Sequence, residues 1–173
     1  MCIRDSFNDS VENNVLLGDS KNSDTYLNAA CMKQEVAEMT DGKNTLIGSG
    51  GAYLSGGQAK RLAFARTLCH DKPILILDDP FSALDKNTEK QAFVNLQALA
   101  KDSIVLLISH RLYLFPEMDG VIWMENGKAV TGTHEELLKI VPEYENLYTS
   151  QVHTTENGGA EHDAQKTSEN GDL

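Results

Sequence analysis

The sequence predicts an α/β fold built on a parallel sheet, and three observations carry that expectation. Two apolar runs, ILIL at 74–77 and IVLLI at 104–108, are unbroken, and they end in polar pairs, Asp78-Asp79 and Ser109-His110. Between them, KNTEKQAFVNLQALAK sets Phe93, Leu96 and Leu99/Ala100 at helical spacing, so the order is strand, helix, strand. Neither strand alternates apolar with polar residues, which places both in the middle of a sheet covered on both faces. Open parallel sheets bind ligands at the carboxyl ends of their strands, so Asp78, Asp79, Ser109 and His110 are candidate site residues.

The remaining elements follow in chain order. From Ser23 or Asp24, TYLNAACMKQEVAEM reads as one amphipathic helix with Leu27, Ala30/Cys31 and Gln34 in line. A glycine-rich connection, IGSGGAY, leads to LSGGQ and a helix in which Leu62, Ala65 and Leu68/Cys69 share a face. Past the second strand, Asn126-Gly127 between short apolar segments signals a hairpin. Thr133-x-x-Glu136 is a capping box that opens a helix through Leu137, Leu138, Ile140 and Val141, which Pro142 ends. From about His153 the chain is almost without apolar residues, and 152–173 is expected to be a disordered tail.

Composition narrows the function classes. A chain of 173 residues buries one respectable core, and a net charge of -11 speaks against a surface that neutralises nucleic-acid phosphates. Cys2, Cys31 and Cys69 are an odd number at unpatterned spacing, as expected of reduced packing thiols in a cytosolic compartment. The longest apolar runs fall far short of the roughly 20 residues that a membrane helix needs.

The chemistry concentrates in LSGGQ, Leu54 to Gln58. Ser55 and Gln58 have capping-box spacing, and capping alone would explain both. It does not explain Gly56 and Gly57, each of which costs a helical turn roughly 1 kcal/mol relative to alanine. Bare glycines at a helix N-terminus let an anion approach the backbone N–H groups closely, so the pair points to phosphate. In ILILDDP, Asp before Pro can be plain turn chemistry. Two adjacent carboxylates at a strand's carboxyl end also suit a division of labour. Asp78 would hold magnesium through its waters, and Asp79 would orient or deprotonate an attacking water. His110 could be a satisfied strand-end histidine, but its place one strand over from the carboxylates favours a phosphate-sensing role.

Together these motifs resemble the nucleotide-binding domain of ATP-binding cassette (ABC) transporters. LSGGQ is similar to the family signature, ILILDD to its Walker B strand, Ser82 to Asp85 (SALD) to its D-loop, and Ser109 to Arg111 (SHR) to its switch-histidine loop, all in the family's order. The resemblance runs from about Phe7 to Gln151, and FNDSVENNVLLG and GTHEELLKIVPEYENLY look like exporter-type segments. It implies a P-loop NTPase-like parallel sheet core (about 71–151) with a helical signature subdomain (about 7–70), truncated at the N-terminus. It further implies ATP and Mg2+, hydrolysis driving export, and a position on the cytoplasmic face of the cell membrane. The expected partners are a membrane domain encoded upstream and a second cassette, with no nucleic acid. Leu54, Ser55, Gly56, Gly57, Gln58 and Asp85 would face ATP held by that second cassette, Asp78 would carry the metal, and Asp79 and His110 would be catalytic.

Two departures qualify the picture. Neither Gly42-Lys43 nor Gly127-Lys128 completes GxxxxGK[ST], so the phosphate loop is expected upstream of Met1, the chain alone is expected to be inactive, and MCIRDS (1–6) reads as a non-native end. Asp79 stands where active members usually carry Glu; a shift of about 1 Å in a catalytic group can cost on the order of a hundredfold in rate. One half of a heterodimeric exporter with a slow site of its own is the resulting expectation. A catalytically silent regulatory cassette, an importer ATPase and a DNA-repair type ATPase are the alternatives.

Overall fold

The computed structural model describes residues 6–158 and divides the chain into two compact units, the first ending at Ser109 and the second beginning at His110. Residues 1–5, with Cys2, and 159–173 lie outside the described residues, and with them most of the segments read as a non-native end and a tail.

The first unit begins with a short antiparallel pair, β1 (Asp9–Ser10) with β2 (Leu46–Ile47). It encloses α1 (Val11–Leu16), α2 (Ser23–Ala29), α3 (Lys33–Ala37) and a 3-10 turn at Gly42–Asn44. The long helix α4 (Gly56–Cys69) packs on α1 and α2, burying Leu62, Phe64, Ala65, Leu68 and Cys69. Arg66 pins that packing: its Nε donates to the Asn14 carbonyl at 2.6 Å, and its guanidinium lies 4.8 Å from the centre of the Phe7 ring. Cys69 is buried and Cys31 half-buried, and burial raises both thiols above their usual range, as expected of unreactive packing groups.

The single helix expected from Ser23 to Met39 is instead two. Cys31 adopts φ 55°, its N–H bonds the Asn28 carbonyl at 3.0 Å, and the Met32 N–H reaches back to the Leu27 carbonyl at 2.8 Å. This is a Schellman closure, and the buried pair Leu27 and Met32 supplies its apolar contact. The usual sequence marker of the motif is a glycine, and a cysteine occupies the left-handed position here, so periodicity ran through the break.

Strands β3 (Ile74–Asp78) and β4 (Ile104–Ile108) pair in parallel over their whole length, from Ile74↔Ile104 to Asp78↔Ile108, joined through α5 (Lys86–Leu99). The strand, helix, strand reading holds. The expectation of two covered faces does not, because Leu75 and Leu77 are buried while Ile76 is 65% and Ile104 63% exposed, with Ile74, Leu106 and Ile108 beside them. Alternate side chains of a strand point to opposite faces, and among the described residues only one face receives a covering layer.

The second unit opens with a 3-10 turn at Leu112–Glu117, then the hairpin of β5 (Val121–Glu125) and β6 (Lys128–Gly132). Asn126 and Gly127 turn with φ 48° and 73°, the type I′ geometry that suits the twist of the strands. Helix α6 (His134–Ile140) begins at the expected capping box, with Thr133 Oγ1 accepting from the Glu136 N–H and Glu136 accepting from the Thr133 N–H. Pro142 then occupies the first turn of α7 (Pro142–Gly158), where its missing N–H costs nothing. The tail expected from 152 is therefore helical as far as Gly158, since no proline or glycine interrupts the backbone ladder before it. Leu112, Val121, Leu137, Val141 and Tyr144 form this unit's core, packed by Trp123 and Tyr148.

Candidate functional site

The LSGGQ stretch forms the N-terminus of α4. Ser55 is the N-cap, with φ -61° and ψ 159°; its Oγ accepts from the Gln58 N–H at 3.2 Å, and Gln58 Oε1 accepts from the Ser55 N–H at 2.9 Å. Ser55 and Gly56 are exposed, and Leu54, Gly57 and Gln58 are half-buried. The two glycines are not equivalent. A Cβ on Gly56 would meet nothing within 4 Å, whereas one on Gly57 would stand 2.8 Å from the Cβ of Ala83. Gly57 therefore has a close contact inside the chain that a side chain would disturb, and Gly56 has none.

Ala83 belongs to the SALD turn, which packs along α4. Lys60 Nζ donates to Ser82 Oγ at 2.8 Å, and the rings of Phe64 and Phe81 meet edge to face at 5.4 Å between centroids. Sequence reasoning missed Lys60, Phe64, Phe81 and Ala83. The helical spacing of 57, 60 and 64 is visible in the sequence, but nothing there says which segment lies opposite. Asp85 closes the turn as the N-cap of α5, accepting from the Asn87 N–H at 3.0 Å, the Thr88 N–H at 3.1 Å and the Thr88 hydroxyl at 2.5 Å. Those bonds, the Thr88 hydroxyl foremost, hold its carboxyl below the usual carboxylate range. A third clamp joins Arg61 to both carboxylate oxygens of Glu35 on α3.

At the carboxyl edge of the parallel pair, Asp78 lies exposed on the same face as Ile76, and Asp79 follows half-buried with φ 46°. The Asp79 N–H donates to the Ile108 carbonyl at 2.8 Å, carrying the pairing one residue past the strand end. His110, next in the chain, opens the second unit. There the side-chain amide of Gln151 brackets it, Nε2 donating to the His110 carbonyl at 2.7 Å and Oε1 accepting from the Leu112 N–H at 2.9 Å. Gln151 is a further residue the sequence gave no reason to single out.

This geometry has counterparts among known proteins. The ABC transporter family model matches residues 6–82, a span that runs from before α1 through LSGGQ to the start of the SALD turn. The ATP-dependent lipid A-core flippase of Burkholderia thailandensis is 41% identical over 149 residues, covering 84% of this chain and 25% of that protein. The chain is a member of the ABC transporter family. The flippase of the same description from Desulfotalea psychrophila is 37% identical over 150 residues, again 84% of this chain and 26% of its own length. Among solved structures, a bacterial Atm1-family ABC exporter with ATP bound superposes with a TM-score of 0.76 at 30% identity, covering 85% of this chain and 27% of that one. The parallel pair and its helices are thus part of the P-loop NTPase-like ABC fold. The chain spans about a quarter of the length of the curated relatives it matches.

The residues present fit the groups such a domain handles. Asp78 offers one exposed carboxylate, and no cluster of three or more metal-binding side chains occurs among the described residues. A single hard oxygen donor suits magnesium, which keeps most of its waters and takes its other ligands from phosphate. The N–H groups around Gly56, at the positive end of a 14-residue helix, suit a phosphate oxygen.

Proposed function

We propose that this ABC transporter chain forms part of the ATP-hydrolysing cassette of an exporter and supplies the signature half of a composite site. In this reading Leu54, Ser55, Gly56, Gly57 and Gln58, with Asp85, face ATP carried on a second cassette. Asp78 holds Mg2+ through water, and Asp79 and His110 serve the chain's own site. The partners are that second cassette and a membrane domain, which put the chain on the cytoplasmic face of the membrane. The observation that carries the proposal is Gly56: an exposed glycine with no internal contact to satisfy, on the first turn of a well-capped helix. A helix that needed only to start would gain about 1 kcal/mol from alanine there.

Catalysis of phosphoryl transfer rests on positioning and on stabilising charge over the γ-phosphate, so the length of the residue after Asp78 matters. Asp79 is one methylene shorter than glutamate, and its backbone is held by the bond to Ile108. The own site is then slow, the composite site completed by LSGGQ is the fast one, and a heterodimer follows. The test is ATPase activity of the complete exporter containing this chain and its partner cassette. Asp79→Asn should change turnover by less than about twofold, while Ser55→Arg, which puts bulk and charge where the phosphate would come, should abolish it. A large loss from the first substitution, or none from the second, would sink the reading.

A further inference from the structure

We infer that Gln151 is a positioning residue for His110: its side-chain amide, on α7, fixes the backbone from which the exposed imidazole reaches, so that the site His110 serves can tell ATP from ADP. This deepens the proposed function and rests on it. Tyr144, Tyr148 and Gln151 recur at helical spacing on one face of α7. Tyr144 is fully buried in the core of the second unit, and Tyr148 packs against that core with its ring 4.5 Å from the ring of His134, so the helix is anchored one turn before Gln151. An apolar residue would continue this stripe. An amide stands there instead, and both of its ends are used: Nε2 donates to the His110 carbonyl at 2.7 Å, and Oε1 accepts from the Leu112 N–H at 2.9 Å. Arg111 between them is extended, with φ -101° and ψ 96°, so Gln151 pairs with this stretch as a neighbouring strand would. The two bonds do different jobs. Leu112 opens a 3-10 turn that has no side-chain cap on its own segment, so its N–H needs an acceptor, and a glutamate would serve there as well as a glutamine. The bond to His110 needs a donor, which the amide supplies and a carboxylate lacks. Leu112 is also held by its buried side chain, whereas His110 is exposed, so the carbonyl bond is the constraint that Gln151 adds to the histidine. A side chain in water leaves its Cα in the direction the backbone sets, and freeing that carbonyl lets the imidazole wander.

Two variants separate the two bonds in the complete exporter with its partner cassette. Binding of ATP and of ADP is measured by their competition against photolabelling of this subunit by azido-ATP, because a slow site is read by what it holds rather than by turnover. Gln151→Met keeps the length and loses both bonds. It should weaken ATP about tenfold, the low end for a hydrogen bond to a charged group, and leave ADP within about twofold, since ADP has no γ-phosphate for His110 to meet. Gln151→Glu keeps the acceptor for Leu112 and loses the donor, so it should weaken ATP equally. Full ATP binding in Gln151→Glu would mean that Gln151 only caps the turn, and equal weakening of ATP and ADP would mean that the substitutions loosen the unit as a whole. Either result overturns the proposal, as does unchanged ATP binding in Gln151→Met. A second measurement needs no nucleotide: hydrogen exchange at the Leu112 amide should quicken by about tenfold or more in Gln151→Met and stay near the unsubstituted rate in Gln151→Glu. Unchanged exchange in both variants would show that the bracket does not exist in solution, which also overturns the proposal. An unsubstituted exporter whose subunit takes no label would remove the proposed function, and the positioning role with it, while the exchange rates would still report on the bracket.

Discussion

In the second unit Tyr144 is fully enclosed: its hydroxyl lies 2.7 Å from Nδ1 of His134, and Trp123 meets its ring edge to face. In the first unit the β3–β4 pair is as apolar in sequence, yet Ile74, Ile76, Ile104, Leu106 and Ile108 stand open on one side while Leu75 and Leu77 are buried on the other. The difference lies in how each core is assembled. The hairpin and its two helices bury residues that lie within about one supersecondary motif of each other, so the segment carries both sides of its own core. A parallel pair needs separate layers above and below, delivered by crossover connections, and α5 is the crossover that the described residues supply. An unbroken apolar strand therefore states that both faces seek cover without stating what provides it.

The largest expected effect tests the closed core. Tyr144→Ala should cost about 3–5 kcal/mol in denaturant unfolding, as for other fully buried aromatic residues, and a loss under about 1 kcal/mol would mean that the second unit is loosely packed. Next come the helix caps, one in each unit. Ser55→Ala and Thr133→Ala should each cost about 1 kcal/mol, equal because both are capping boxes with the same bonds. A much larger loss at Ser55 would show that the start of α4 carries more of the first unit than its geometry suggests.

The His134–Tyr144 contact gives the second unit its own pH response. Burial depresses the His134 imidazole below its ordinary value near 6.5 and pushes the Tyr144 hydroxyl up to about 12. The folded unit thus takes up a proton on His134 less readily than the unfolded chain. That stability is fully present above about pH 6.5 and is lost as the pH falls through that value toward the folded pKa. At the alkaline end the raised tyrosine contributes stability that is lost between roughly pH 10 and 12. Thermal unfolding followed through Trp123 fluorescence across this range would check both arms, and His134→Gln should flatten the acid arm. The smallest expected effect tests the open face. Ile76→Ser should change stability by less than about 0.5 kcal/mol, because the side chain is already in water, while Leu77→Ala beside it should cost about 2–5 kcal/mol. A large loss at Ile76 would mean that something covers the face in solution.

Much of this was legible in the residues, for reasons that differ by element. Both capping boxes, the Asn126-Gly127 turn and the strand, helix, strand order rest on chemistry within a few residues of one another, and local chemistry is written in local sequence. The break at Cys31 was not legible, because a left-handed residue without glycine is held there by the burial of Leu27 and Met32, which is tertiary. Gln151, bracketing the backbone on either side of Arg111, was equally invisible, since the partners are 39 and 41 residues away.

By itself the sequence determined the motifs, their order and so the ABC transporter family, since each motif is a short run whose residue types answer to one chemistry. The tertiary structure alone decided what surrounds each of the two glycines of LSGGQ. A missing side chain reads the same in sequence whether it makes room for a ligand or for the chain itself. Only the fold sets Ala83 against Gly57 and leaves open space at Gly56.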